Sequence, residues 1–242
     1  QVGVLLGHYL LTERPGDEDA RKNRLVIASC VSSPMLGVIA EALSVRYEET
    51  LTGFKWIANL AMEQERTAGA RFIFGYEEAL GYTVGPLVRD KDGISAAVLV
   101  ADLASALAFS GRTLADALDD LTLRHGVHLT SQVTFTRHPD RNAAQMTELR
   151  SSPWTALAGV SVLSVTDYAT GASGLPATDL LEFRLDDGSR VLLRPSGTEP
   201  KLKCYLEVVQ GVGPDGLASA KSRAAERLKT LEAEVRQRVE AL

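Results

Sequence analysis

Leu25-Val26-Ile27-Ala28-Ser29-Cys30-Val31 is a compact apolar run with no polar alternation. A strand with one wet face alternates apolar and polar residues. An unbroken run marks a strand covered on both faces, as parallel strands are. Ser32 and Ser33 follow, then Pro34, residue types that cap a helix and open its first turn. The helix they start is expected to carry Met35, Val38, Ile39, Ala42 and Leu43 on one stripe. Outward from this unit, residues 45–50 read as a short strand. A helix over about 54–65 turns Ile57, Leu60 and Ala61 inward, and Phe72-Ile73-Phe74 is a strand ending at Gly75. Upstream, residues 2–11 are apolar and helical, and the charged stretch 13–24 is a loop. Downstream, a long Ala- and Leu-rich helix runs from Gly93 to about 109. A second, capped by Thr113, ends near 124. Alternating strands and helices predict an α/β layer with a mostly parallel sheet. Ligands meet such sheets at the loops after the strands, here residues 50–55 and 75–82.

The character changes near His125-Gly126. Residues 127–136 alternate polar and apolar, a half-exposed strand, and 140–151 are helical. Residues 160–165, 180–185 and 190–193 read as strands, with Asp186-Asp187-Gly188-Ser189 as a hairpin turn. A terminal helix over 215–242 lines up Leu217, Ala224, Leu228, Leu231, Val235 and Val239. Locally paired strands with helices on one face make an α+β domain with an antiparallel sheet. The boundary falls at about 125, giving domains over 1–125 and 126–242, with 126–132 as linker.

The chain has 242 residues, 45% hydrophobic and 24% charged, enough to bury a sizeable core. A net charge of −5 argues against broad nucleic-acid or polyanion binding, so an anionic ligand needs a local basic site. Cys30 and Cys204 show no CxxC or metal spacing and fit buried thiols in a reducing, cytoplasmic setting. No apolar run reaches membrane-span length, and no signal peptide is visible. The opening Gln1-Val2-Gly3-Val4-Leu5-Leu6-Gly7 has no initiator Met and reads as the middle of a longer protein.

Four loops carry candidate chemistry. Arg194-Pro195-Ser196-Gly197-Thr198-Glu199-Pro200-Lys201 lies between two apolar runs and is a strand–loop–strand unit. Its two prolines deny its backbone a ladder role. Gly197 admits a close ligand or a positive φ, and Ser196 and Thr198 add hydroxyls to exposed N–H groups. Arg194 supplies a planar fork that matches phosphate. Glu199 would repel phosphate, so it turns away or orients a basic neighbour. The ligand inferred is a phosphate monoester; the plainer alternative is a polar hairpin with solvated charges. Glu77 and Glu78 lie between Gly75 and Gly81, and carboxylates accept hydrogen bonds from sugar hydroxyls. Tyr76 and Tyr82 could pack on such a ring. The alternative there is a solvated acidic turn. Thr52 reads as an N-cap, and the helix start at Gly53 with Lys55 nearby favours anions, or is an ordinary cap. Lys91 could reach a phosphate, or belong to a solvated charge run. His8, His125, His128 and His138 show no metal spacing and read as surface or boundary residues.

T-x-T-G-F-K at 50–55, G-Y-E-E-A-L-G-Y at 75–82, D-K-D-G at 90–93 and R-P-S-G-T-E-P-K at 194–201, in that order, resemble the α-D-phosphohexomutase family. The resemblance covers essentially the whole chain and implies the last two of four domains. By it, Arg194, Ser196, Gly197 and Thr198 hold the substrate phosphate. Glu77 and Glu78 belong to the sugar-recognition loop, and Thr52, Gly53 and Lys91 line the same cleft. Ala79, or Leu80 under a shifted alignment, stands where many members carry Ser, which leaves the hydroxyl contacts open. The loop looks closer to the subgroup with the second type of phosphoglucomutase and phosphopentomutase. The resemblance implies a parent mutase that uses Mg2+, a phosphoserine and a sugar 1,6-bisphosphate activator on a phosphosugar substrate. Neither the T-x-S-H-N serine loop nor the D-G-D-x-D-R metal loop occurs here, so no catalytic residue or metal ligand is assigned. The expected function is sugar and phosphate recognition within a mutase acting on glucose or mannose phosphates, completed by N-terminal domains of the same polypeptide. The alternative is a non-catalytic sugar-phosphate-binding protein.

Overall fold

The computed structural model describes residues 1–12, 23–171, 173–197 and 199–241. The chain divides into two compact units, Gln1–His125 and Gly126–Leu242. Most of the expected loop at 13–24 lies outside the described residues.

In the first unit, β1 (Arg24–Ser29) is buried along its whole length. It pairs in parallel with β2 (Arg46–Thr50) and β3 (Arg71–Glu77). Strand β4 (Gly81–Val84) joins β3 antiparallel, giving the order β2-β1-β3-β4. The period of two splits β1 between two cores. Val26 and Ala28 face α1 (Val2–Thr12), α2 (Met35–Ala42), α4 (Gly93–Phe109) and α5 (Leu114–His125). Leu25 and Ile27 face α3 (Phe54–Ala68).

Three local expectations need correction. The buried face of α2 is Met35, Leu36, Ile39 and Ala40, while Val38 is exposed. Gly7 of α1 causes the rotation, because a Cβ there would sit 2.6 Å from Leu36 Cδ1. The glycine lets Leu36 into the helix interface. Pro34 takes the N-cap position rather than the first turn, the Ser33 hydroxyl accepts the Met35 N–H at 3.3 Å as a serine was expected to, and Ser32 is used elsewhere. Strand β3 does not stop at Gly75. A Cβ on Gly75 would lie 2.7 Å from Ile57 Cγ2, so this glycine makes room for α3 and the strand runs on to Glu77.

The second unit is a six-stranded antiparallel sheet, ordered β5-β10-β9-β8-β7-β6. Its strands are β5 (Val127–Thr136), β6 (Ala156–Leu157), β7 (Val160–Asp167), β8 (Leu181–Leu185), β9 (Arg190–Pro195) and β10 (Lys201–Gln210). Helices α6 (Pro139–Ser151) and α7 (Gly216–Ala241) supply the helical part of its core. Met146 and Leu149 come from α6; Leu228, Leu231, Val235 and Val239 come from α7. The two units thus combine a mostly parallel α/β layer with an antiparallel α+β domain. The expected linker over 126–132 is absent, because β5 pairs with β10 from Val127 onward. Only Gly126, with φ 87, precedes the ladder. His128 is not a surface residue: its buried ring lies 3.2 Å from Glu207 Oε1. Arg190 Nε donates to the other Glu207 oxygen at 2.8 Å. Among the described residues no single helix is long and apolar enough to cross a membrane.

Candidate functional site

The carboxyl ends of β1, β2 and β3 are tied together by the loops that follow them. Cys30 N–H donates to Thr50 O at 2.8 Å. Ser32, buried, shares a 2.7 Å bond with Ser29 and accepts the Glu78 N–H at 2.9 Å. Glu77 ends β3 opposite Gly81, so residues 78–80 form a three-residue hairpin turn. Leu80 takes the left-handed conformation there, φ 56.

Glu77 is 6% exposed, which excludes a solvated acidic turn at this residue. Its Oε1 accepts the Gly53 N–H at 2.5 Å, and its Oε2 lies 3.6 Å from Lys91 Nζ. Thr52 is therefore not the cap of α3. Gly53 occupies that position with φ 113 and ψ 120, strongly disfavoured for residues with a Cβ, and no side chain of its own loop caps the helix. The anion drawn to this helix start is the carboxylate of Glu77. Lys55 is turned away and lies over the Trp56 ring, 5.4 Å from its centroid.

Lys91 is held from both sides. The Asp92 N–H donates to Tyr82 O at 2.7 Å, and the Asp92 side chain caps α4 through Ile94 N and Ser95 N. The Lys91 stem passes over Gly81, where a Cβ would meet Lys91 Cε at 2.8 Å. The structure thus brings Glu77, Gly53 and Lys91 together, with Thr52 half-buried beside Gly53. Glu78 is half-buried at the turn, and burial, with the Glu78 charge nearby, pushes the Tyr82 phenol up. Tyr76 is not a stacking platform. It is 5% exposed in the core, with its hydroxyl on Ser33 O at 2.9 Å, and Tyr82 packs against the same core.

The second constellation lies in the other unit, where β9 turns into β10. The ladder runs past Pro195, which pairs with Leu202. Proline lacks only its own N–H, and the next one, Ser196 N–H, donates to Lys201 O at 2.8 Å. That N–H is therefore not available to an anion. Gly197 has no left-handed φ, and nothing lies within 4 Å of a Cβ built on it. Of the two reasons for a glycine here, open approach remains. Thr198 lies outside the described residues. Glu199 orients a basic neighbour: Lys201 Nζ donates to it at 2.7 Å, so Lys201 is paired rather than solvated.

Arg194 stands directly opposite Lys203 across the β9–β10 ladder. Direct partners share a sheet face. Leu193 and Cys204 belong to the core, so both cations point to the other face. Neither forms a salt bridge with a described residue, although the Lys201 hydrogen bond, and after it the Lys203 charge, help hold the Glu199 carboxyl below its usual range. Lys203 was given no role by the sequence reading, although its even spacing from Lys201 was visible. Ser32 was missed too, since nothing in sequence joins it to residue 78.

A family model described as phosphoglucomutase/phosphomannomutase, alpha/beta/alpha domain III matches residues 1–124, and one for the C-terminal domain of the same family matches 143–212. A probable phosphomannomutase of Haemophilus influenzae is 42% identical over 209 residues, covering 85% of this chain and 39% of the relative. A human phosphopentomutase is 33% identical over 252 residues, covering 96% of this chain and 41% of the relative. The chain thus spans about two fifths of the length of these relatives. A crystal structure of a putative phosphomannomutase from Thermus thermophilus matches 99% of the chain with a TM-score of 0.62 at 20% identity, covering 40% of that protein; this is a likeness of fold.

Proposed function

The chain belongs to the phosphoglucomutase/phosphomannomutase family, and from that premise we propose that it is the sugar- and phosphate-recognising part of a longer mutase. In this reading the whole protein interconverts sugar 1-phosphates and 6-phosphates, of glucose, mannose or both, through a phosphoserine and a bisphosphate intermediate. Sugar 1,6-bisphosphate is then its activator, and the N-terminal domains of the same polypeptide complete it. Within this stretch, Arg194, Ser196, Gly197 and Thr198 hold phosphate, and Lys203 joins them. Glu77, Glu78, Thr52 and Gly53 read sugar hydroxyls, with Lys91 reaching an anionic oxygen. The observation that carries the phosphate assignment is the Arg194–Lys203 pair. Like charges directly opposite destabilise a ladder unless an anion relieves them.

Magnesium, which the family resemblance implies, is not assigned to this chain. Among the described residues no three His, Cys, Asp or Glu side chains gather as a metal site, and no step is derived through the ion. The chemistry left to these residues is positioning. A guanidinium fork fixes the phosphate, and a carboxylate held at Gly53 and Lys91 offers lone pairs to hydroxyl donors.

The test has two arms. A serine loop and a D-G-D loop in the reading frame upstream of Gln1 support the mutase; their absence favours a sugar-phosphate-binding protein. In the full-length protein, Arg194→Ala weakens phosphosugar binding by calorimetry by at least about tenfold, from the ~1.5–3 kcal/mol of a hydrogen bond to a charged group. Lys201→Ala, already paired to Glu199, changes it little. Equal losses overturn recognition by geometry in favour of general charge.

A further inference from the structure

At the other end of α4 from Lys91, the first unit has an open-mouthed cavity of about 440 Å³ between α1, α4 and α5. Seventeen helical residues separate the ends of α4, about 25 Å at 1.5 Å per residue. The volume lies within the range of small-molecule sites, roughly 300–1,000 Å³. Buried Leu103, Leu107 and Leu121 give it an apolar wall. A sugar phosphate, polar on every side, is a poor match for such a wall.

The rim is polar: His8, Arg112, Asp120 and Arg124 line it, and the lining Tyr9 donates its hydroxyl to Asp102 at 2.8 Å. Arg112 is neutralised by Asp120. Arg124 is exposed and forms no salt bridge with any described residue. His8 also faces the cavity; burial, then the charges of Arg124 and His125, hold its imidazole below its usual range. It is therefore neutral at pH 7 and can donate or accept a hydrogen bond. The Leu107 carbonyl at the end of α4 is fully used within the protein. It already accepts Ser110 N–H at 3.0 Å, Arg112 N–H at 2.9 Å and the Ser110 hydroxyl at 3.0 Å.

We propose that this cavity binds a small amphiphilic anion, a flat apolar body on the leucines with one carboxylate, sulfonate or phosphate group at Arg124. A pocket that sets convergent polar groups beside an apolar wall is a usual form of ligand site. The site is independent of the sugar and phosphate loops.

Anilinonaphthalene sulfonate is the probe, with uncharged phenylnaphthylamine as its control, titrated by fluorescence into the 242-residue chain. The expected result is one saturable site that prefers the sulfonate. Arg124→Ala should weaken the sulfonate about tenfold, the range for one hydrogen bond to a charged group, and leave the neutral probe unchanged. Ala106→Trp fills the cavity from an exposed position and should abolish saturable binding of both probes. Circular dichroism checks that this variant folds. Should it not, amide resonances of Ser110, Arg112 and Arg124 in the unsubstituted chain must shift on titration. Non-saturating binding, an unchanged Arg124→Ala variant, a folded Ala106→Trp variant that binds normally, or unmoved resonances would each overturn the proposal.

Discussion

Replacing Glu77 separates its structural work from its proposed recognition of sugar. In the structure it accepts the Gly53 N–H at 2.5 Å and faces Lys91 at 3.6 Å while 6% exposed. Glu77→Ala leaves that N–H without its acceptor, at a cost of about 1–3 kcal/mol. Glu77→Gln keeps an acceptor but loses the charge. A bond to a charged group contributes ~1.5–3 kcal/mol and a neutral one ~0.5–1.5, so about 1 kcal/mol is lost. At roughly 2–4 °C per kcal/mol for a chain of this size, Ala lowers Tm by about 2–12 °C and Gln by about 2–4 °C. Trp56 sits in the first turn of α3 and reports the change by fluorescence in a Trp154→Phe background. An Ala variant melting within about 1 °C of the parent would refute the capping argument. The recognition half is read separately in the full-length protein. Glu77→Gln should lower kcat/KM for hexose phosphates and leave inorganic phosphate affinity nearly unchanged. Glu78→Gln is measured beside it, and normal kcat/KM in both would show that this loop does not read the sugar.

Other outcomes follow from packing and burial. Gly81→Ala places a methyl 2.8 Å from Lys91 Cε, which can swing away, and 3.0 Å from the Phe54 ring, which is 4% exposed and cannot. The expected loss is about 1–3 kcal/mol by thermal unfolding, and an unchanged Tm would show that the ring has room. Glu207→Ala removes the nearer carboxylate from buried Arg190, which keeps Glu182 at 3.7 Å, and should cost about 1–3 kcal/mol in urea, whereas a loss under about 0.5 kcal/mol would mean the pair is wet. Burial pushes the Cys204 thiol up to about 12, so in a Cys30→Ala background it should ignore a disulfide reagent at pH 8 until the chain unfolds. Reaction of the folded chain at the unfolded rate would contradict this.

Period and composition carried most of the fold. The run at 25–31 is buried on both faces because helices cover both, and no alternation was there to hide that. What the sequence could not reveal depends on partners distant along the chain. Gly75 reads as a strand end until Ile57 is seen lying against it. The α2 stripe rotates because Gly7, about thirty residues earlier, admits Leu36. Residues 126–132 read as a linker because the partner of β5, β10, arrives more than seventy residues later. His128 looked peripheral for the same reason, since Glu207 comes with that partner strand.

The loops themselves were legible, but the direction of their chemistry was not. Thr52-Gly53 announces a helix start, and helix starts attract anions; the anion turns out to be Glu77 from the neighbouring strand. This changes what Glu77 can offer. A carboxylate oxygen has two lone-pair sites, so Oε1 spends one on Gly53 and keeps the other, while Oε2 shares its charge with Lys91. The group stays a good acceptor for hydroxyl protons, yet its charge is partly answered, and two anchors fix its orientation. The loop between β9 and β10, proposed to hold phosphate, has the opposite balance. Arg194 and Lys203 stand opposite each other with no salt bridge to a described residue, while the nearby acid Glu199 pairs with Lys201 and only feels the Lys203 charge. A sugar phosphate carries hydroxyl donors on its ring and a dianion at one end. The proposed division, ring read in the first unit and phosphate held in the second, follows from this contrast in charge.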